Sequence, residues 1–337
     1  MKEVADKLAS LNDPQVELTL LRSCFSLPKF AFSLRTCPPT FSLKAAEEYD
    51  GVMREQLERI CGSPFSEAVW NQANLPISMG GIGLRSATQH RGACFVGSVS
   101  QTLPLATCIS PSYSNPFFAG EMSELGVNSD SHTNLCQKSL SFLVNSASSV
   151  ALRNSADCRS VTRLLSLTLP HSGDWLTVVP SHSLGLAIPG LDFRYAHRYR
   201  LGMPLYTRSF RCPFCDAHND AFGDHAIGCG HESDRIARHN RLRDVIFASA
   251  RCANLDPAKE LPNLIPGLQA RPADIFLPMW RRGRPAAFDV TVVSPLQAAF
   301  VNRPGQALPS AESRKRSQHE LPCHSQGIDF FPLGVEP

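Results

Sequence analysis

Four residues constrain this chain more than any others: Cys212, Cys215, His225 and Cys229, spaced C-x2-C-x9-H-x3-C. Zn²⁺ takes four soft or borderline ligands in a tetrahedron, and a set supplied wholly by protein makes a closed, structural site. The segment around them is short and polar, with few apolar residues of its own to bury, so its folding is expected to be coupled to the metal. His218 and His231 are near enough in sequence to substitute for His225, which leaves the third ligand less determined than the three thiolates. A redox role for the Cys212–Cys215 pair would need a βαβ surround, and none is visible.

The 337 residues exceed one ordinary domain, and 43% hydrophobic with 19% charged residues suits a globular chain. Nothing near the N-terminus reads as a secretory leader, so the remaining members of the 12 cysteines are expected as reduced, small core residues. No run approaches the roughly 18 apolar residues of a membrane span, and no membrane partner is expected. The net charge of +3 does not by itself announce a nucleic-acid partner. From Pro189 onward, however, 17 of 19 cationic residues are Arg, the side chain that forks onto phosphate.

Helical punctuation dominates the first part. Asn12-Asp13-Pro14 offers a cap and a first-turn proline, and Pro38-Pro39 ends that section. A helix opening at Ser42 carries Tyr49, Val52, Met53, Leu57 and Ile60 on one face and stops at Gly62. Another runs from about Ser66 to Ala73. The glycine-rich stretch Leu75–Arg85 lacks the spacing of a phosphate loop and predicts a tight turn before a helix reaching Leu103. Residues 103–128, rich in Ser, Pro and Asn, predict a loop; Ser-rich helices come next, to about Thr168, and a basic helix spans Phe193–Leu201 with Arg194, Arg198 and Arg200.

Beyond the cysteines the pattern becomes mixed. A helix from Asp234 to about Leu255 shows a stripe of Leu242, Val245, Ile246, Ser249 and Ala253, continued by Arg235 and Arg238. Strands are expected at 261–268, 273–280 and 286–293, with Arg281-Arg282-Gly283-Arg284 as a turn, then a helix at 310–321 and a last strand at 328–335. Asp274 and Asp289 fall on consecutive strands, which lie ~5 Å apart, so the two can share a divalent cation. Phosphodiester cleavage needs such an ion, Mg²⁺ or Mn²⁺, to neutralise the phosphate and acidify a water. Two residues after Asp289, where a Lys is usual in such sites, stands Thr291; Lys315 is the expected replacement and Glu260 a third acid. The fold class expected is α+β: a helical N-terminal region, a small zinc knuckle, and an αβββαβ domain like the core of restriction-type nucleases.

The stretches Gly-Asp-His-Ala-Ile-x-Cys-Gly, Ile-Ala-Arg-His-Asn-x-Leu-Arg-Asp, Arg-Pro-Ala-Asp-Ile and Phe-Asp-Val-Thr-Val-Val-Ser-Pro-Leu resemble the C-terminal part of non-LTR retrotransposon reverse transcriptase proteins. Leu-Leu-Arg-Ser-Cys, Arg-Thr-Cys-Pro-Pro and Leu-Pro-Ile-Ser-Met-Gly-Gly-Ile-Gly-Leu-Arg are similar to the region C-terminal to the polymerase palm in that family. The resemblance implies a thumb-like region at 1–102, a linker and helical region at 103–205, a CCHC knuckle at 206–232 and a restriction-like endonuclease at 233–337. It implies that the tail nicks a DNA target whose 3′ end then primes copying of the element's RNA, an activity placed in the nucleus; for an inactive remnant the location is cytoplasmic or undetermined. Asp274, Asp289, Lys315 and Glu260 would be catalytic, and Arg235, Arg238, His239, Arg281 and Arg282 would meet DNA. No Tyr/Phe-x-Asp-Asp motif is present, so polymerisation by this chain alone is not expected. The alternative is a non-catalytic zinc-knuckle module that binds nucleic acid.

Overall fold

The computed structural model describes residues 2–127, 135–229, 233–267 and 272–336. The chain divides into two units, Met1–Ala156 with Leu167–Met203, and Asp157–Ser166 with Pro204–Pro337.

The first unit is helical: α1 (Lys2–Ala9), α2 (Pro14–Leu20), α3 (Ala31–Thr36), α4 (Pro39–Cys61), α5 (Glu67–Asn74), α6 (Ala87–Ile109), α7 (Phe118–Glu124) and α8 (Gln137–Asn154). The next helix, α9 (Cys158–Ser166), belongs to the second unit, and α10 (Gly190–Arg200) returns to the first. Capping explains several boundaries. The Asp13 carboxylate accepts from the backbone N–H of Gln15 and Val16, and Pro14 occupies the first turn, where its missing N–H costs nothing. α4 starts at Pro39 rather than Ser42 for the same reason, and ends where Gly62 takes φ 68°. Leu18, Leu34, Leu57, Ile60, Ile82 and Phe193 form the core these helices enclose.

The glycine-rich stretch is a turn. Gly80 and Gly83 hold φ of 87° and 86°, and a Cβ on Gly81 would stand 1.9 Å from the carbonyl oxygen of Leu75. Arg200 braces this turn from within, donating to the carbonyls of Gly81, Ile77 and Ser172 at 2.9–3.2 Å. Burial lowers its guanidinium to about 10. The basic face expected on α10 is therefore partly spent inside the unit: Arg200 is buried, and Arg198 donates to the carbonyl of Cys61.

The loop expected from residue 103 is overturned, because α6 continues to Ile109 and α7 comes after it. Pro104 removes a single N–H and the helix persists for more than a turn beyond it. The division expected at 102–103 thus falls inside α6. By length and mean hydropathy (1.3) α6 would also suit a membrane span. Core helices share that property, and Ala93, Phe95, Val96 and Val99 pack here against Met122 and Leu140.

The second unit is mixed. Besides α9 it holds β1 (Phe210–Arg211), β2 (His218–Asn219), α11 (Asp224–Gly228), α12 (Ser233–Cys252), β3 (Ala258–Lys259), β4 (Ile275–Leu277), β5 (Ala286–Val292), α13 (Ala307–Ser325) and β6 (Asp329–Val335). From α12 onward the order is α-β-β-β-α-β. The sheet runs β3-β4-β5-β6, antiparallel through β5, with β6 parallel to β5 after the crossover through α13. α12 lays Ile246, Phe247 and Ala250 on one face, against Ile275, Leu277 and Phe288. Cys323 of α13 packs on the other with Ala287 and Phe330. β5 is covered on both sides, and its run Ala-Ala-Phe-Asp-Val-Thr is buried throughout. The protein is thus α+β: a mostly helical N-terminal region, a Cys3His cluster at 212–229, and a small mixed sheet with helices at the C-terminus.

Two sequence expectations change. The first strand of the sheet is Ala258–Lys259, not 261–268, which forms turns through Gly267; Leu268 lies outside the described residues. The inward stripe of α12 keeps the expected Ile246 but is otherwise displaced, since Val245 is 65% exposed while Phe247 and Ala250 pack. Further along that buried side, towards the N-terminus, sit His239 and Arg243, polar residues that periodicity of apolar side chains does not count.

Candidate metal centres

The four ligand atoms of Cys212, Cys215, His225 and Cys229 lie within 4.8 Å of one another. The β1–β2 hairpin pairs Phe210 with Asn219 and Arg211 with His218, which folds the Cys212–Cys215 turn back on itself. Cys212 N–H donates to the carbonyl of Ala217, and Asp216 N–H to that of Cys212. α11 brings the other two ligands; the Asn219 side chain, buried, accepts from the N–H of Ala226 and anchors that helix. The Sγ–Sγ separations Cys212–Cys229 and Cys215–Cys229 are 3.9 and 3.8 Å. A tetrahedron with metal–sulfur bonds of about 2.3 Å has edges of about 3.8 Å, so the donor set fits a structural zinc ion. The Cys212 thiol is pulled down, first by the backbone N–H of Phe214, towards the thiolate such a site requires.

His225 is the histidine in the cluster, its Nε2 at 3.2 Å from Cys215 Sγ. His218 is exposed on the hairpin, and His231 lies outside the described residues. α9 supports this arrangement from a distance in sequence. Arg159 forks onto both carboxylate oxygens of Asp224, the neighbour of His225, and its guanidinium lies 4.1 Å from the ring centre of Phe222.

A pair of carboxylates, Asp274 and Asp289, lies at the end of β4. The register pairs Ile275 with Phe288, and its continuation sets Asp274 opposite Asp289. The N–H of Asp274 still donates to the carbonyl of Phe288, while its carboxylate turns back to accept the N–H of Val290 at 2.7 Å. His239 of α12 sits on the same oxygen at 3.1 Å and on the carbonyl of Val290 at 3.1 Å. Asp289 is 6% exposed, and Lys315 reaches it from α13, Nζ standing 3.1 and 2.9 Å from its two oxygens. Burial pushes the Asp289 carboxyl up; Lys315 opposes that shift and the neighbouring charge of Asp274 adds to it.

Glu260 neighbours Asp274 through its backbone. Its N–H donates to the carbonyl of Asp274, whereas its carboxylate pairs with Arg243. His319, unforeseen from the sequence, lies one turn from Lys315 with Nε2 4.0 Å from Asp289 and a buried Nδ1 that has no partner among the described residues. The five expected DNA-facing residues separate: His239 is engaged with the Asp274 carboxylate and the carbonyl of Val290, and the four arginines form two groups. Arg235 and Arg238 line a cavity of about 400 Å³ with Thr291. Arg281 and Arg282 are exposed at the β4–β5 turn, on the order of 20 Å along the hairpin from Asp274.

No protein-family model matches this chain, and no curated protein is significantly similar to it.

Proposed function

We propose that the second unit is a metal-dependent DNA-nicking module and that the chain is the C-terminal part of a non-LTR retrotransposon reverse transcriptase protein, acting on DNA in the nucleus. The observation that carries this reading is the pairing of Asp274 with Asp289 on adjacent strands, with a lysine on the second acid. Stability alone gives little reason to bury a carboxylate among the apolar residues of β5, because taking a charge out of water costs several kcal/mol. Asp274 and Asp289 would hold Mg²⁺ or Mn²⁺. A cation bound there supplies charge neutralisation of the phosphate and acidification of a water molecule. His239 fixes the orientation of Asp274, and Lys315, beside Asp289, would supply positive charge against the negative charge that gathers on a phosphate under attack. The closed Cys3His set would hold Zn²⁺ and has no open position for catalysis.

A binding-only reading draws support from the same carboxylates, since each is already satisfied by Val290, His239 or Lys315. Conversion of supercoiled plasmid to open circles in Mg²⁺ separates the two. Wild type should nick, Lys315→Ala should nick more slowly, and Asp289→Ala should be inert while still binding DNA. Equal cutting by wild type and Asp289→Ala would remove Asp289 from the site; binding without cutting by either protein would favour the binding module.

A further inference from the structure

The cavity beside the carboxylate pair is lined by three arginines, Arg235, Arg238 and Arg314, and by the hydroxyl-bearing Thr291, Ser294 and Ser310. None of its described lining residues is acidic. A concave site that gathers three guanidinium groups and three hydroxyls is built for an anion with several acceptor oxygens. Its volume of about 400 Å³ exceeds the ~30 Å³ share of one water many times over and admits a phosphate with part of its sugar.

Its position is set by the same two helices that reach the carboxylates. On α12, Arg238 faces the cavity and the next residue, His239, holds Asp274. On α13, Arg314 faces the cavity and the next residue, Lys315, holds Asp289. Thr291 lies two residues beyond Asp289 on β5, about 7 Å along the strand. The stretch after β5, with Ser294, Gln297 and Phe300, and α11 of the Cys3His segment complete the wall, and Arg238 donates to the carbonyl of Ile227 at 2.9 Å. The buried Nε of Arg238 has no acceptor among the described residues.

We infer that this cavity is a phosphate pocket, which takes a backbone phosphate of the DNA strand next to the one presented to Asp274 and Asp289. That neighbouring position rests on the nicking reading, whereas the pocket's affinity for phosphate does not. Arg235 and Arg314 are exposed, so replacing both leaves the core untouched. Arg238 supports Ile227 and is left in place.

The test uses the full chain carrying Asp289→Asn, without added Mg²⁺ or Mn²⁺, so that binding is measured apart from cutting. Affinity for a short labelled DNA duplex is measured by fluorescence anisotropy across a salt series. Losing one phosphate contact lowers the slope of log K against log salt by about 0.9. The Arg235→Gln/Arg314→Gln variant should show that fall, and inorganic phosphate should compete more weakly against it than against its parent. An unchanged slope in this variant overturns the pocket, as does a fall no larger than that of an Arg303→Gln/Arg316→Gln control. Nicking by wild type with an unchanged slope sinks the pocket alone. A reduced slope in a protein that never nicks sinks the nuclease reading and leaves the pocket standing.

Discussion

The substitution Gly→Ala is predicted to act with opposite signs at two sites in the helical unit. At Gly81 the new Cβ would stand 1.9 Å from the carbonyl oxygen of Leu75 and 2.7 Å from that of Gln72. Ordinary contact begins near 3.4 Å, so the backbones must separate by 3.4 − 1.9 = 1.5 Å. That displacement breaks the bonds that close the turn, Gly83 N–H to Leu75 and Ile82 N–H to Ala73, and loosens Arg200 from the carbonyl of Gly81. Neutral hydrogen bonds contribute about 1 kcal/mol each and one from a charged donor about 1.5–3, giving an expected loss of about 3–5 kcal/mol. Against the ~5–15 kcal/mol of a typical domain that is a large fraction. Gly51 lies exposed within α4 with nothing within 4 Å of its Cβ position, so Gly51→Ala should instead stabilise by about 0.5–1 kcal/mol. Urea unfolding monitored by tryptophan fluorescence reports on this unit through Trp70 and Trp175. A Gly81→Ala protein within about 1 kcal/mol of wild type, or a Gly51→Ala protein less stable than wild type, would refute the packing described for the turn and for α4.

Two further outcomes are expected from named groups. Purified protein should carry one zinc, lost in Cys215→Ala, and chelation should unfold the segment around Cys212–Cys229, because binding at such sites is worth on the order of 10–16 kcal/mol; zinc-free protein with the same hydrogen-exchange protection there would contradict this. His197 is fully buried, and burial holds its imidazole down at about 4 against an ordinary 6.5. The unfolded chain therefore takes up a proton that the folded one refuses, so stability complete above pH 6.5 is lost as pH falls towards 4, by about 3 kcal/mol in all. Unfolding free energies between those limits should show the loss, and His197→Phe should reduce it, leaving the smaller part due to buried His90.

Much of the second unit was legible from sequence because its signals are local. Ligand spacing marked Cys212, Cys215 and Cys229, and β5 announced itself as a continuous apolar run interrupted by one acid. What was not legible depends on partners distant in the chain. β3 is two residues long and exists through its pairing with β4, so no periodicity marks it. His239 and Arg243 occupy the inward side of α12 because Asp274 and Glu260 receive them, and a search for apolar stripes passes over both. α9 joins the second unit through Arg159 and Asp224, 65 residues apart. In the helical unit, α6 runs through Pro104 where composition suggested a loop, since one missing N–H does not outweigh the turns on either side.

Nicking by this unit requires that Asp274 and Asp289 together hold a divalent cation. Titration of Mn²⁺ into zinc-loaded protein, with free Mn²⁺ counted by electron paramagnetic resonance, addresses it without relying on turnover. Wild type should bind one Mn²⁺, competed by Mg²⁺, with the site retained in Lys315→Ala and lost in both Asp274→Asn and Asp289→Asn. Mn²⁺ binding of equal strength in wild type and both aspartate variants, with zinc still in place, would contradict it.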